Sequence, residues 1–98
     1  MNNENNKKIV LRNFPYAANQ EDLLEVCSHY GVIEHIEFIK KKSYCMVEYS
    51  NCDSAQLAIG HLNGIIFGGR RLRVFFWKDI ERWNVEEKEK FFIRPMNV

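Results

Sequence analysis

The stretch VIEHIEFIKKKSYCMVEY, residues 32–49, decides the fold. Its first half alternates, with Ile36 and Phe38 on one side of an extended chain and mostly polar residues on the other, which is typical of a half-buried strand. Its second half, residues 44–49, alternates in the same way, and the polar run 40–43 between the halves indicates a turn. The stretch therefore predicts an antiparallel hairpin with one apolar face.

A helix is predicted on each side of this hairpin. Before it, Asn19 is followed three places later by Asp22, which is a capping-box pattern. After it, Asn51 or Asp53 can begin a second helix. The apolar residues that repeat at helical spacing are Leu23, Val26, Cys27 and Tyr30 in the first helix and Ala55, Ala58, Ile59 and Leu62 in the second. Each helix thus has one apolar stripe that must pack against a sheet.

Two further strands flank the helices. Residues 9–11 form a short apolar run, and residues 71–77 alternate as a last strand after a brief extended segment at 65–67 and a Gly68-Gly69 turn. The predicted order is βαββαβ, and two right-handed crossovers place both helices on the same side. The fold class is therefore α+β, a ferredoxin-like sandwich in which a four-stranded antiparallel sheet keeps one face open.

The 98 residues suffice for a single domain, which we assign to residues 7–78. Residues 1–6 are polar and are expected to form a disordered leader. The domain carries ten Lys or Arg against seven Asp or Glu, so it is mildly basic although the whole chain has a net charge of +1. Residues 79–98 are a C-terminal extension with apolar residues and a capping pattern at Asn84, and they allow a helix packed on or near the sheet.

Several classes of function are disfavoured. The cysteines, Cys27, Cys45 and Cys52, are odd in number with no close pair, so we predict reduced core thiols in an intracellular protein. The three histidines have no metal-ligand spacing, and residues 13–16 offer no glycine-rich phosphate loop. We therefore expect no enzyme, no cofactor and no metal. No apolar run is long enough to span a bilayer, so no membrane contact is expected.

Four segments match one known family in order and spacing. Residues 9–14 (IVLRNF) and 42–49 (KSYCMVEY) resemble its two signature strands, and residues 52–64 and 69–74 resemble its second helix and last strand. The family is the RNA recognition motif, and the resemblance covers residues 8–78. It implies the strand order 4-1-3-2 and non-catalytic binding of single-stranded RNA on the open sheet face, in mRNA processing or splicing. It also implies residence in the nucleus, with the cytoplasm as the other compartment.

In that family the open face displays aromatic residues at three places, which here hold Val10, Tyr44 and Met46. Only Tyr44 keeps a ring, so Phe75 and Trp77 of the last strand are expected to restore ring surface and to draw RNA toward that strand. Cations are expected to gather at one end of the sheet and to meet phosphates there, namely Arg12, Lys40, Lys41, Lys42, Arg70 and Arg71. The predicted RNA-binding residues are Val10, Arg12, Lys42, Tyr44, Met46, Arg71, Arg73, Phe75, Trp77 and Lys78.

A second interpretation is a protein-interaction module with the same fold. The sheet face would then be occupied by the extension 79–98 or by a partner protein, with Val10, Met46, Phe75 and Trp77 as the dock. The near-neutral charge and the apolar extension favour it. The expected partners are therefore single-stranded RNA or a protein of a ribonucleoprotein assembly, and the chain is expected to be a monomer on its own.

Overall fold

A computed structural model describes the backbone of residues 4–81 and the side chains of residues 6–79. In chain order the elements are β1 (Lys8–Arg12), α1 (Gln20–Ser28), β2 (Ile33–Ile39), β3 (Tyr44–Tyr49), α2 (Cys52–Leu62), β4 (Ile66–Phe67), β5 (Arg70–Arg71), β6 (Arg73–Phe76) and α3 (Trp77–Glu81). Single 3-10 turns occupy Glu4–Lys7 and Lys40–Lys42. The main sheet is antiparallel with the order β2-β3-β1-β6, and β4 pairs with β5 separately. With β6 as the fourth strand, the predicted fold class and strand order are confirmed.

Side-chain caps set the starts of the two long helices. At α1 the Asp22 backbone N–H donates to Asn19 Oδ1 (2.9 Å), and the Asn19 N–H donates to Asp22 Oδ2 (3.0 Å). This is the predicted capping box, in which each side chain satisfies a backbone donor that the helix leaves unpaired. At α2 the Ser54 N–H donates to Asn51 Oδ1 (2.9 Å), so Asn51 and not Asp53 is the cap.

The main core lies between α1, α2 and one face of the main sheet. The Tyr49 hydroxyl donates to the carbonyl oxygen of Cys27 (2.7 Å), which ties β3 to the end of α1. Burial raises the pKa of the Cys27 thiol to about 11 and that of the Cys45 thiol to about 12, so both stay protonated at neutral pH. The predicted role of Cys27 and Cys45 as core thiols is confirmed, while Cys52 is half-buried at the start of α2.

The observed elements differ from the predicted ones near both ends of the domain. Glu4–Lys7, which overlaps the leader predicted for residues 1–6, forms a turn that contacts α2, and residues 1–3 lie outside the described part. The predicted last strand, 71–77, is broken at Leu72, which is buried and whose N–H donates to the carbonyl oxygen of Ile65 (2.8 Å). The extension predicted from residue 79 falls within α3 as far as Glu81, and residues 82–98 lie outside the described residues.

Candidate nucleic-acid interface

The face of the main sheet that points away from α1 and α2 is built by strand alternation. Val10 of β1 stands at its centre, paired with Met46 of β3 and with Phe75 of β6. One alternation further along β1, at the end of the sheet, stands Arg12. The residues that share this face with Val10 include Arg12, Ile39, Tyr44, Met46, Arg73 and Phe75. Alternation therefore placed Tyr44 and Phe75 on the expected side.

The centre of this face is covered. Val10 is fully buried, Tyr44 is 5% exposed and Met46 is 8% exposed. They form an apolar cluster, which we call the second cluster and which consists of Val10, Ile39, Tyr44, Met46, Phe75 and Trp77. The expectation of an open face is thus wrong at its centre. The physical reason is that the chain passes from β6 directly into α3, which contacts β1 and β6 and brings Trp77 onto the face.

Trp77 engages the ring that was expected to stack on a base. Its ring meets that of Tyr44 edge-on, with centroids 6.4 Å apart and planes at 70°. Burial, followed by the nearby charge of Glu37, raises the pKa of Tyr44 to about 12, so its hydroxyl remains neutral. The prediction that Trp77 ends the last strand is wrong because it begins α3, yet its side chain still joins the predicted apolar surface.

Two predicted cations lie away from this face. Lys78 Nζ is 5.1 Å from the ring centroid of Phe76, which packs against the main core on the helix side. Arg71 belongs to β5, where its Nη1 donates to the carbonyl oxygen of Gly64 (2.8 Å). The predicted positions of Lys78 and Arg71 required one continuous last strand. The structure instead breaks the strand at Leu72 and begins α3 at Trp77.

Arg12 and the lysine turn lie together at one end of the sheet. Arg12 Nε donates to the carbonyl oxygen of Ser43 (2.8 Å) and Arg12 Nη2 to that of Lys42 (3.1 Å). The half-buried Arg12 side chain thereby fixes the turn between β2 and β3, and burial lowers its pKa. The lysine side chains of Lys40–Lys42 remain exposed.

Asn13, in the loop after β1, connects Arg70 and Arg71 of β5 to the same end of the sheet as Arg12. Its Nδ2 donates to the carbonyl oxygen of Arg71 (2.7 Å), and its Oδ1 accepts from Arg70 Nη2 (2.8 Å). Arg73 lies beside them on β6, exposed, with its guanidinium 5.4 Å from the ring centroid of Phe75. Among the described side chains, residues 6–79, no carboxylate pairs with any of the six cations Lys40, Lys41, Lys42, Arg70, Arg71 and Arg73.

Tyr16 is missing from the predicted site although it lies at this end. Its side chain is 80% exposed, and Lys40 Nζ is 4.7 Å from its ring centroid. The available signal was an aromatic residue that follows Pro15 in the loop after β1, at the end of the sheet where the lysine run also lies.

Other kinds of site find no support in the described part of the chain. Among the described side chains of residues 6–79, no group of three or more His, Cys, Asp or Glu could hold a metal ion. No described helix is both long enough and apolar enough to cross a membrane.

The fold and this face define the class of protein. The family model described as the RNA recognition motif matches residues 9–73, and the chain belongs to that family.

Particular relatives resemble this chain over most of its length. Multiple RNA-binding domain-containing protein 1 of Candida albicans is 31% identical over 85 residues, which cover 81% of this chain and 10% of that protein. The mRNA 3'-end-processing protein RNA15 of Saccharomyces cerevisiae is 27% identical over 78 residues, 74% of this chain and 26% of that protein. A solved structure of the Rna15 RRM with bound RNA (GU) is 26% identical, has a TM-score of 0.65, and covers 71% of this chain and 81% of its own. The chain therefore spans from a tenth to about a quarter of the length of these two relatives.

Proposed function

We propose that this chain binds single-stranded RNA without catalysis and acts in mRNA processing in the nucleus, as a monomer or as one module of a ribonucleoprotein assembly. The observation that carries the proposal is a set of exposed cations at one end of the sheet, above all Lys40–Lys42 and Arg73, which have no carboxylate partner among the side chains of residues 6–79. Phosphates bind such a surface, and unstacked bases can reach the side chains beside it. The family membership and the relatives named for RNA binding and mRNA 3'-end processing support the same reading.

The burial of the second cluster divides the site into two parts. In this proposal RNA contacts Lys42, Arg73 and the exposed part of Phe75 directly, at the cationic end and along β6. Val10, Tyr44 and Met46 contribute to RNA binding only when α3 leaves the sheet, since their side chains are covered while it is in place. α3 therefore competes with RNA for the centre of the face.

The test is direct binding of the full chain to labelled oligonucleotides of about ten nucleotides, followed by fluorescence anisotropy. The probes are a GU repeat, oligo(U), oligo(A) and a duplex of the GU repeat with its complement. We expect at least one single-stranded probe to bind, to bind more tightly than the duplex, and to weaken as salt rises. Absence of binding to every single-stranded probe at low salt would contradict the proposal.

The second candidate is a protein-interaction module, and the burial of the second cluster favours it. The centre of the sheet face, with Val10, Tyr44 and Met46 buried and Trp77 packed against them, leaves little accessible surface on which bases could lie. The two candidates differ in one outcome. The module predicts that RNA fails to bind both to the intact chain and to a Trp77→Ala variant in which the centre is uncovered.

A further inference from the structure

Tyr16 is the most exposed large apolar side chain of the described residues, at 80%. A single exposed ring on a protein surface is ordinary, so its surroundings decide whether it has a role. The other tyrosines are engaged, because Tyr44 and Tyr49 are buried and Tyr30 stacks on His61 with ring centroids 5.4 Å apart. Among the four tyrosines, Tyr16 alone offers a free ring face to a ligand.

The ring is placed beside a cation from another segment. Lys40 Nζ lies 4.7 Å from its centroid, which brings the loop after β1 against the turn after β2. Because the side chain is 80% exposed, one face of the ring meets the ammonium group and the other faces solvent. Lys41 and Lys42 continue the positive charge from this point toward the end of the sheet.

The loop that carries Tyr16 is held on both sides. Phe14 is 2% exposed in the main core, and the Ala18 N–H donates to the carbonyl oxygen of Pro15 (2.9 Å). Pro15 packs so closely on Gly68 that a Cβ built there would lie 2.5 Å from Pro15 Cγ. Such a loop loses little backbone conformational entropy when a ligand binds, so the position of Tyr16 is preorganised.

We infer that Tyr16 is the stacking platform for one base of a bound single strand, placed beyond the end of the sheet, with the flanking phosphates on Lys40–Lys42. This rests on the proposed function and adds a position to it. A base can lie on the free face of the ring whatever its identity, since every base has a π-face. The ammonium group of Lys40, on a flexible stem, can turn from the ring to the adjacent phosphate.

The experiment measures the affinity of the full chain and of a Tyr16→Ala variant for the same GU-repeat and oligo(U) probes. Loss of one base-stacking platform should raise Kd by about 5- to 150-fold. A Tyr16→Phe variant keeps the ring and should retain the wild-type Kd. The matched control is Leu57→Ala, which removes an exposed bulky side chain (52%) from α2, on the opposite side of the molecule from the sheet face, and should leave Kd unchanged.

A second readout uses oligo(U) that contains 4-thiouridine, crosslinked to the wild-type chain by light and mapped by mass spectrometry. An adduct on Tyr16 is expected. A Tyr16→Ala Kd equal to that of the wild type, or adducts on other residues with none on Tyr16, would overturn the inference while leaving RNA binding intact. If no probe binds the wild-type chain, the proposed function fails and this inference fails with it.

Discussion

At the scale of single residues, Asn13 does more for the cationic end than its position in a loop suggests. It adopts φ 65°, in the left-handed region, where asparagine is tolerated better than most residues. Its side-chain amide makes hydrogen bonds to the Arg71 carbonyl oxygen and to Arg70. The loop after β1 and strand β5 are thereby joined through one side chain.

We predict that Asn13→Ala lowers the free energy of unfolding by about 2 kcal/mol, because it removes both hydrogen bonds and places a Cβ-bearing residue without local compensation at positive φ. Asn13→Gly should cost only about 1 kcal/mol, since glycine adopts this φ freely. Urea unfolding of both variants measures the difference. Equal losses would show that the backbone conformation contributes nothing.

Trp77 also matters as a single residue, since its side chain, at the start of α3, packs against the second cluster. We predict that Trp77→Ala lowers the unfolding free energy by about 1–3 kcal/mol, less than for a fully buried tryptophan because its side chain is half-buried. The same variant should bind single-stranded RNA more tightly than the wild type, because Val10, Tyr44 and Met46 become accessible.

Trp77→Phe is the control for that prediction, as it keeps an aromatic ring against Tyr44 and should bind RNA with nearly wild-type affinity. A folded Trp77→Ala variant that binds RNA more weakly than the wild type would contradict competition between α3 and RNA. Such a result would instead make Trp77 a direct RNA contact.

At the scale of elements, the turn between β2 and β3 carries three exposed positive charges, on Lys40–Lys42. Hydrogen bonds from the Arg12 guanidinium to two carbonyl oxygens hold the backbone of this turn. We predict that Lys41→Ala reduces the slope of log K against log salt concentration by about 0.7, the value for one phosphate contact on a single strand. The matched control, Lys8→Ala, removes the same charge at the opposite end of β1 and should leave the slope unchanged. Equal slopes for wild type and Lys41→Ala would exclude the turn from the interface.

Some of these elements could be predicted from sequence patterns alone, and others could not. The capped helices and the β2–β3 hairpin were predictable because each is defined by local periodicity and by a side chain a few residues away, as with Asn19 and Asp22. The break at Leu72 was not predictable, because Leu72 fits the alternation of a continuous strand and its change of partner is seen in its backbone hydrogen bonds with Gly64 and Ile65.

The candidate site was predictable only in part for the same reason. Strand alternation was enough to place Val10 and Phe75 on one face, since side chains alternate regardless of what covers them. Whether that face is open depends on how α3 packs, which is a non-local outcome. The meeting of Tyr16 with Lys40 likewise depends on two loops that are distant in sequence.

At the scale of the whole molecule, the buried thiols make stability depend on pH. The folded chain keeps protons on Cys27 and Cys45 up to pKa values of about 11 and about 12, whereas the unfolded thiols release them near their ordinary value of 9.0. Their contribution is fully present below the unfolded pKa and is lost as pH rises through the folded values. We predict that the unfolding free energy falls above about pH 9, by at most about 1.4 kcal/mol per pH unit for each thiol.

Urea unfolding across this alkaline range measures the effect. Cys45→Ala should show a shallower decline than the wild type, and Cys52→Ala, which removes the half-buried cysteine, should decline as steeply as the wild type. A Cys45→Ala curve parallel to that of the wild type would count against the buried thiol as the cause.

The whole molecule is an RNA recognition motif domain. The sheet face opposite α1 and α2 is buried at its centre and carries exposed positive charge at one end. The most direct measurement of that arrangement is an NMR titration of the full chain, labelled at backbone amides and at valine and methionine methyl groups, with the GU-repeat probe. We predict the largest shifts at Tyr16 and Lys40–Lys42, with the methyl signals of Val10 and Met46 nearly unchanged. Large shifts of those methyl signals, with Tyr16 and the lysine turn unaffected, would contradict the account.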